Sequence, residues 1–298
     1  MFTVAALYHF SRFADPAALR APLLHLCRDA GVKGSLLLAP EGINGTIAGP
    51  RAAILAVLDH IRDLPGCAGL EWKEAASETL PFARMKVRLK REIVTMGQPD
   101  VDPLARKGHY VLPADWNALI TAADVAVIDT RNAYETAIGT FTGAVDPGTD
   151  SFGAFPAWWQ ANKHAYAGKR IAMFCTGGIR CEKSTNYLLG QGVDQVFHLK
   201  GGILKYLEEV PVAESLWQGE CYVFDGRVAV GHGLAPGSHA MCHACGHPVS
   251  AADTLAPAYE RGVCCPRCAG AYPEPDRARF RERQRQLDLA AARGNIAD

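Results

Sequence analysis

Three short apolar runs, "VAVIDTR" at 125–131, "RIAMFC" at 170–175 and "VFHLKGGI" at 196–203, limit what residues 116–218 can become. Each is too short for a buried helix and has the composition of a fully buried strand. Helical stretches such as "CEKSTNYLLGQG" lie between them. Strands that alternate with helices build a parallel sheet covered on both faces, so an α/β domain is expected here.

Residues 1–96 read differently. "FTVAALYHF" is strand-like. "DPAALRAPLLHLCRDAG" has a capping Asp15, Pro16 at the first helical position and a terminal Gly31. "GSLLLAP" reads as a strand, "EGING" as a turn and "TIAG" as a return strand. "PRAAILAVLDHIRDL" is a second helix, and "LEWKEA" and "RMKVRLKRE" are further strands. This β-α-β-β-α-β order suits a ferredoxin-like α+β domain. Residues 97–115 hold three prolines, two glycines and three aspartates and read as a linker. Residues 219–298 form a Cys-rich region that ends in a helical tail.

Charge and cysteine placement narrow the function classes. The 31 basic and 31 acidic residues cancel, so any nucleic-acid surface must be a local patch. One such strip is visible. In the strand "RMKVRLKRE", Arg84, Lys86, Arg88 and Lys90 alternate with Met85, Val87 and Leu89, which puts the four cations on one face. That face is either a solvated edge that discourages aggregation or a contact for phosphates. The arginines at 277, 279, 281, 283 and 285 spread around a helix and read first as a solvated surface, with RNA contact as the sharper alternative. Trp158 and Trp159 read as packing residues before base-stacking ones, and lone histidines such as His9 and His60 as structural. No secretory signal and no membrane span is expected. Of the ten cysteines, Cys242, Cys245, Cys264, Cys265 and Cys268 crowd the last fifth of the chain, which favours metal or redox chemistry in a reducing, cytoplasmic setting.

Cys242-x2-Cys245 and Cys265-x2-Cys268 have the spacing of two zinc-knuckle turns that complete a tetrahedron. Structural zinc is the leading reading; a redox role and free thiols stay open, and Cys264, His243 and His247 blur the ligand set.

The sharpest site is "CTGGIRCEKS" at 175–184. Cys175 ends a strand and a helix follows. Reactive groups of an open parallel sheet sit at such carboxyl ends. There the helix dipole and free amides lower a thiol's pKa. Gly177 and Gly178 let the loop curl, Thr176 lies within it, and Arg180 closes it with a fixed charge. The C-x4-R loop is one residue shorter than the one with which cysteine phosphatases enclose phosphate. A tighter ring suits a smaller group on sulfur, such as a persulfide. Cys181 is either a resolving thiol for Cys175 or purely structural.

Residues 125–210 resemble a rhodanese domain: "IDTRNAYE" with Asp129, Arg131 and Glu135 fits its opening signature, "CTGGIR" its active loop and "VFHLKGGI" its closing signature. Together with "APEGINGTI" at 39–47, "GECYVFDGRVAV" at 219–230 and the CxxC pairs, the chain resembles the bacterial tRNA uridine hydroxylase family over nearly its whole length. The resemblance implies a tRNA substrate, O2 as co-substrate, and 5-hydroxylation of a wobble uridine, with Cys175 as the sulfur-carrying residue. The residues themselves show no His-x-Asp or His-x-Glu facial triad, no G-x-G-x-x-G motif for a flavin or NAD, and no P-loop. Cys175 is the evident nucleophile. Its addition to C6 of uracil would activate C5, with Arg180 stabilising the developing charge. The alternatives are a plain sulfurtransferase that carries a persulfide on Cys175 and a non-catalytic RNA-binding adaptor. Nothing in the sequence sets an oligomeric state.

Overall fold

A computed structural model describes residues 1–292 of the 298. The N-terminal domain runs β1 (Phe2–Phe10), α1 (Pro16–Asp29), β2 (Lys33–Ala39), β3 (Gly42–Gly49), α2 (Arg51–Arg62), β4 (Glu71–Ser77) and β5 (Met85–Leu89). The sheet order is β4-β1-β3-β2-β5, antiparallel throughout except that β5 runs parallel to β2. This is the ferredoxin-like arrangement with one added strand. Asp15 caps α1 by accepting from the amides of Ala17 and Ala18. One face of the sheet buries Leu36, Leu38 and Val87 in a common core with Ile54, Val57, Leu58 and Ile61 of α2. The two-residue alternation sends Ser35 and Leu37 to the opposite face, which carries no helix of this domain.

The expected turn "EGING" is corrected. Only Glu41 and the residue before it turn, and Gly42–Gly45 already belong to β3. β3 is central, and its glycines let neighbouring strands approach. A Cβ on Gly42 would lie 2.1 Å from the His9 carbonyl oxygen, and one on Gly45 would lie 2.0 Å from that of Ser35.

The expected linker 97–115 is also corrected in part. It contains β6 (His109–Val111), which pairs in parallel with a strand nearly ninety residues later, and the start of α3 (Pro113–Ile120). The chain continues through β7 (Val125–Asp129), α4 (Ala133–Thr136), β8 (Gly139–Phe141), α5 (Phe155–Asn162), β9 (Arg170–Phe174), α6 (Ile179–Gly190), β10 (Val196–Leu199) and α7 (Gly202–Glu209). The second sheet is parallel, in the order β6-β10-β9-β7. Its core includes Trp116, Phe141, Phe174, Tyr206 and Trp217, packed mostly edge to face. Trp159 is buried and Trp158 packs beside it, as structural residues.

β11 (Trp217–Gly219) pairs back to β8, so the expected boundary at 218/219 cuts through a strand of the rhodanese-like domain. Beyond it come the hairpins β12 (Cys221–Tyr222)–β13 (Ala229–Val230) and β14 (Ala240–Met241)–β15 (Pro248–Val249), then α8 (Ala251–Thr254) and α9 (Glu274–Ala292). On α9, Arg277 and Arg281 pair with Glu260, Arg279 with Asp276 and Arg285 with Glu282, while Arg283 caps the carbonyls of His243 and Gly262. These arginines are therefore already partnered. No helix among the described residues is long and apolar enough to cross a membrane.

Candidate active site

β9 delivers Cys175 to the carboxyl edge of the parallel sheet, and α6 begins four residues later. Gly178, the residue before α6, has φ +104°, a conformation glycine adopts without strain. Its amide donates to Cys175 Sγ at 3.1 Å. Gly177 differs from expectation: its φ is ordinary, and no atom lies within 4 Å of where a Cβ would stand. Its smallness leaves open space above the loop instead of allowing the curl. The loop carbonyls of Cys175 and Thr176 face away and accept from the α7 amides of Ile203 (3.0 Å) and Leu204 (3.1 Å).

Burial alone would push the Cys175 thiol up. A hydrogen bond from Cys181, the charge of Arg180 and the amides of Cys181 and Gly178 overcome it, and the thiol lies below its ordinary range. Cys181 is pushed the other way, by burial and then by the thiolate beside it. The arrangement favours the negative charge on Cys175 and the proton on Cys181. Arg180 forms a two-pronged pair with Glu135, at 2.8 and 2.9 Å, with the Glu135 side chain fully buried. Glu135 also closes the capping box of α4 and accepts from Thr176 at 3.3 Å. Asp129 and Arg131 form a second, wholly buried pair below the loop.

The bare face of the N-terminal sheet lies over this loop. Lys73 Nζ donates to the Gly177 carbonyl at 3.0 Å. Tyr8 donates to Glu182 at 3.2 Å, and Lys107 pairs with the same carboxylate at 2.9 Å. Lys183, only 2% exposed, is held by Glu41 at 2.8 Å, Glu92 at 2.6 Å and the Val94 carbonyl at 3.0 Å. Between the domains lies a cavity of about 670 Å³, within the range of small-molecule sites. Cys175, Thr176, Gly177 and Arg180 line it from below, Asn44, Lys73 and Lys90 from above, and Phe224 and Arg227 from the β12–β13 hairpin.

Of the expected site residues, the cavity gathers Cys175, Thr176, Gly177, Arg180 and Lys90. Cys181 is buried behind the loop. Arg84 and Arg88 are exposed and Lys86 half-buried, further back along β5 than Lys90. The expected alternation weakens at Leu89, which is 43% exposed because β5 is an edge strand that outruns its core.

Lys73, Lys183, Glu92 and Phe224 were not anticipated as site residues. Glu41, Lys183 and Phe224 do fall inside the quoted motifs, and a charged or aromatic residue within such a motif was the available signal. Lys73 had none, because its partner is 104 residues away.

At the other end of the chain, Cys242, Cys245, Cys265 and Cys268 offer sulfurs that all lie within 4.8 Å of one another. Three Sγ–Sγ separations are 3.8, 3.7 and 3.7 Å. A tetrahedral ion with sulfur ligands at ~2.3 Å has edges of about 3.8 Å, so the cluster can hold a metal such as zinc. Cys264 stands apart and bonds the Ala258 carbonyl at 3.3 Å. His247 packs edge-on against Tyr134, next to Glu135.

Residues 2–93 match the family model described as UPF0176 acylphosphatase like domain, and residues 112–209 match the Rhodanese-like domain. Proteins named tRNA uridine(34) hydroxylase are similar along the whole chain. That of Roseobacter denitrificans is 66% identical over 98% of this chain and 99% of its own length. That of Jannaschia sp. is 68% identical over 99% and 97%, and that of Caulobacter vibrioides 60% identical over 96% and 93%. With both domains matched and identity of this order from end to end, the chain belongs to the tRNA uridine(34) hydroxylase family.

Proposed function

We propose that this chain is a cytoplasmic tRNA-modifying enzyme that places an O2-derived hydroxyl on C5 of the wobble uridine, with Cys175 as its nucleophile. The observation that carries the reading is a cysteine that accepts from a loop amide, beside Arg180, on the floor of a cavity of about 670 Å³ walled by two domains. The thiolate adds to C6 of uracil; the C5=C6 electron pair moves toward C5 and O4, and C5 becomes the nucleophile toward the oxidant. Arg180 and the loop amides stabilise charge nearby. Loss of the C5 proton then expels the thiolate. Reducing the second oxygen atom to water takes two electrons. The adjacent Cys175 and Cys181 thiols supply two by closing to a disulfide, which exchange with an external thiol reopens.

Lys90, followed by Arg88, Lys86 and Arg84 along β5, forms the phosphate-contacting strip that leads tRNA to the cavity. Gly178 shapes the loop that receives the base. The four-cysteine cluster holds a structural Zn2+ through Cys242, Cys245, Cys265 and Cys268. Such a closed site supplies folding free energy to the knuckle and leaves no ligand position for substrate.

The test is mass spectrometry of tRNA nucleosides from cells lacking the protein, complemented with wild type or Cys175→Ser. Wild type restores the hydroxylated uridine and the variant does not. The rhodanese-type loop favours one rival, a sulfurtransferase that carries a persulfide on Cys175. Unchanged hydroxylation with loss of a thiolated nucleoside would establish that rival.

A further inference from the structure

We propose that Phe224 is the platform on which the target pyrimidine stacks, which makes the tip of the β12–β13 hairpin part of the substrate site. The inference rests on the tRNA-modifying reading above and names how that site grips its base.

Phe224 is 54% exposed, and every other phenylalanine among the described residues is buried or half-buried. A single exposed apolar side chain is ordinary. Its position is not: it lines the same cavity as Cys175 and Arg180. The ring is also held in place. Tyr222 packs edge-on to it with centroids 5.2 Å apart, and the Arg180 guanidinium lies 5.6 Å from its centre. Asp225 accepts from the backbone amide, Nε and Nη2 of Arg227 at 3.0, 2.9 and 2.7 Å. Gly226 donates its amide to the Pro81 carbonyl of the N-terminal domain at 3.2 Å. Val228 sits at φ +63°, a conformation that β-branched residues rarely adopt and that persists where surroundings dictate it. A strained, doubly anchored tip that presents an uncovered ring is a preorganised surface.

The charges around it suit a nucleotide. The carboxylates that line the cavity are already partnered, Glu92 by Lys183 and Asp225 by Arg227. Lys73 and Lys90 line it without an ion pair among the described residues. A flat apolar ring beside lysines that have no carboxylate partner complements a base with its phosphate. Enzymes that modify a base take it from the stack and hold it against such a ring.

The experiment measures binding of two fluorescein-labelled anticodon stem-loops to the full chain: one with uridine at the wobble position, one abasic there. Wild type should prefer the uridine loop. Phe224→Ala and Phe224→Leu should lose roughly tenfold of that preference and leave abasic binding unchanged, while Phe224→Tyr keeps it. Leucine fills the volume without a ring face, so it answers the question even if alanine collapses the hairpin. Equal weakening toward both loops, or full preference in the leucine variant, overturns the proposal. A wild-type protein that binds neither loop overturns the tRNA reading itself, which is a different result.

Discussion

At the residue scale, the site turns on how one thiol keeps its charge. The folded pKa of Cys175 is lowered, so its thiolate is present at pH values below the ordinary thiol range and is lost only as pH falls through the lowered value. Cys27, Cys67 and Cys221 are pushed up by burial to about 12, 11 and 12. Iodoacetamide at neutral pH should therefore label Cys175 and spare those three, as peptide mapping would show. Lys73 donates to the Gly177 carbonyl; its burial lowers its pKa, and the negative charge of Cys175 works in the other direction. Lys73→Met should raise the pH midpoint of labelling by about one unit; an unchanged midpoint would remove Lys73 from the site. The Cys175–Arg180 loop was legible in the sequence because its parts lie within six residues. The bonds from Lys73 to Gly177 and from Arg180 to Glu135 were not, since each joins segments brought together only by folding.

At the element scale, α7 supports the reactive loop as much as α6 does. Gly202 has φ +68°, and a Cβ there would lie 2.5 Å from the Cys175 carbonyl oxygen, 2.7 Å from the Gly178 amide and 2.7 Å from the Thr176 carbonyl oxygen. These are backbone atoms and cannot swing aside. Gly202→Ala should therefore displace the loop, cost about 2 kcal/mol or more in urea unfolding, and abolish the early labelling of Cys175. Gly177→Ala, with open space and an ordinary φ, should cost less than about 1 kcal/mol. Similar loss from both would mean that the loop is held otherwise. The strand and helix order was readable because each core face keeps its period. β3 was shortened because its glycines read as turn residues when they serve close strand approach. β6 was missed because three residues in a Pro- and Gly-rich stretch carry too little pattern to mark an edge strand.

For the whole molecule, one buried ammonium joins the domains. Lys183 sits on α6, while Glu41 and Glu92 belong to the N-terminal domain and the segment that leaves it. Glu92 is opposed by its own burial, and the bonds from Lys183 and the Met96 amide prevail, so its pKa is lowered. Its contribution to stability is thus present above the ordinary carboxylate range and lost as pH falls through the lowered value. Lys183→Met leaves two carboxylates facing an apolar stem. The variant should lose about 3 kcal/mol of stability at neutral pH and recover part of it toward pH 4, as the carboxylates protonate. Calorimetry should show the single wild-type transition separating toward two; one unsplit transition would mean that other contacts couple the domains. The two domains and the cysteine-rich end were legible from composition, but not how they meet. The bond from Lys73 to Gly177 also has a meaning in time. Synthesis runs from the N-terminus, so Lys73 leaves the ribosome 104 residues ahead of the loop it closes. Until the domains dock, the Gly177 carbonyl lacks that donor and the loop lacks its cover, while Arg180 and the loop amides already favour charge on Cys175. The reactive sulfur is thus set up by its own loop before the wall that shelters it arrives, and the interval before docking is when oxidants reach it most easily.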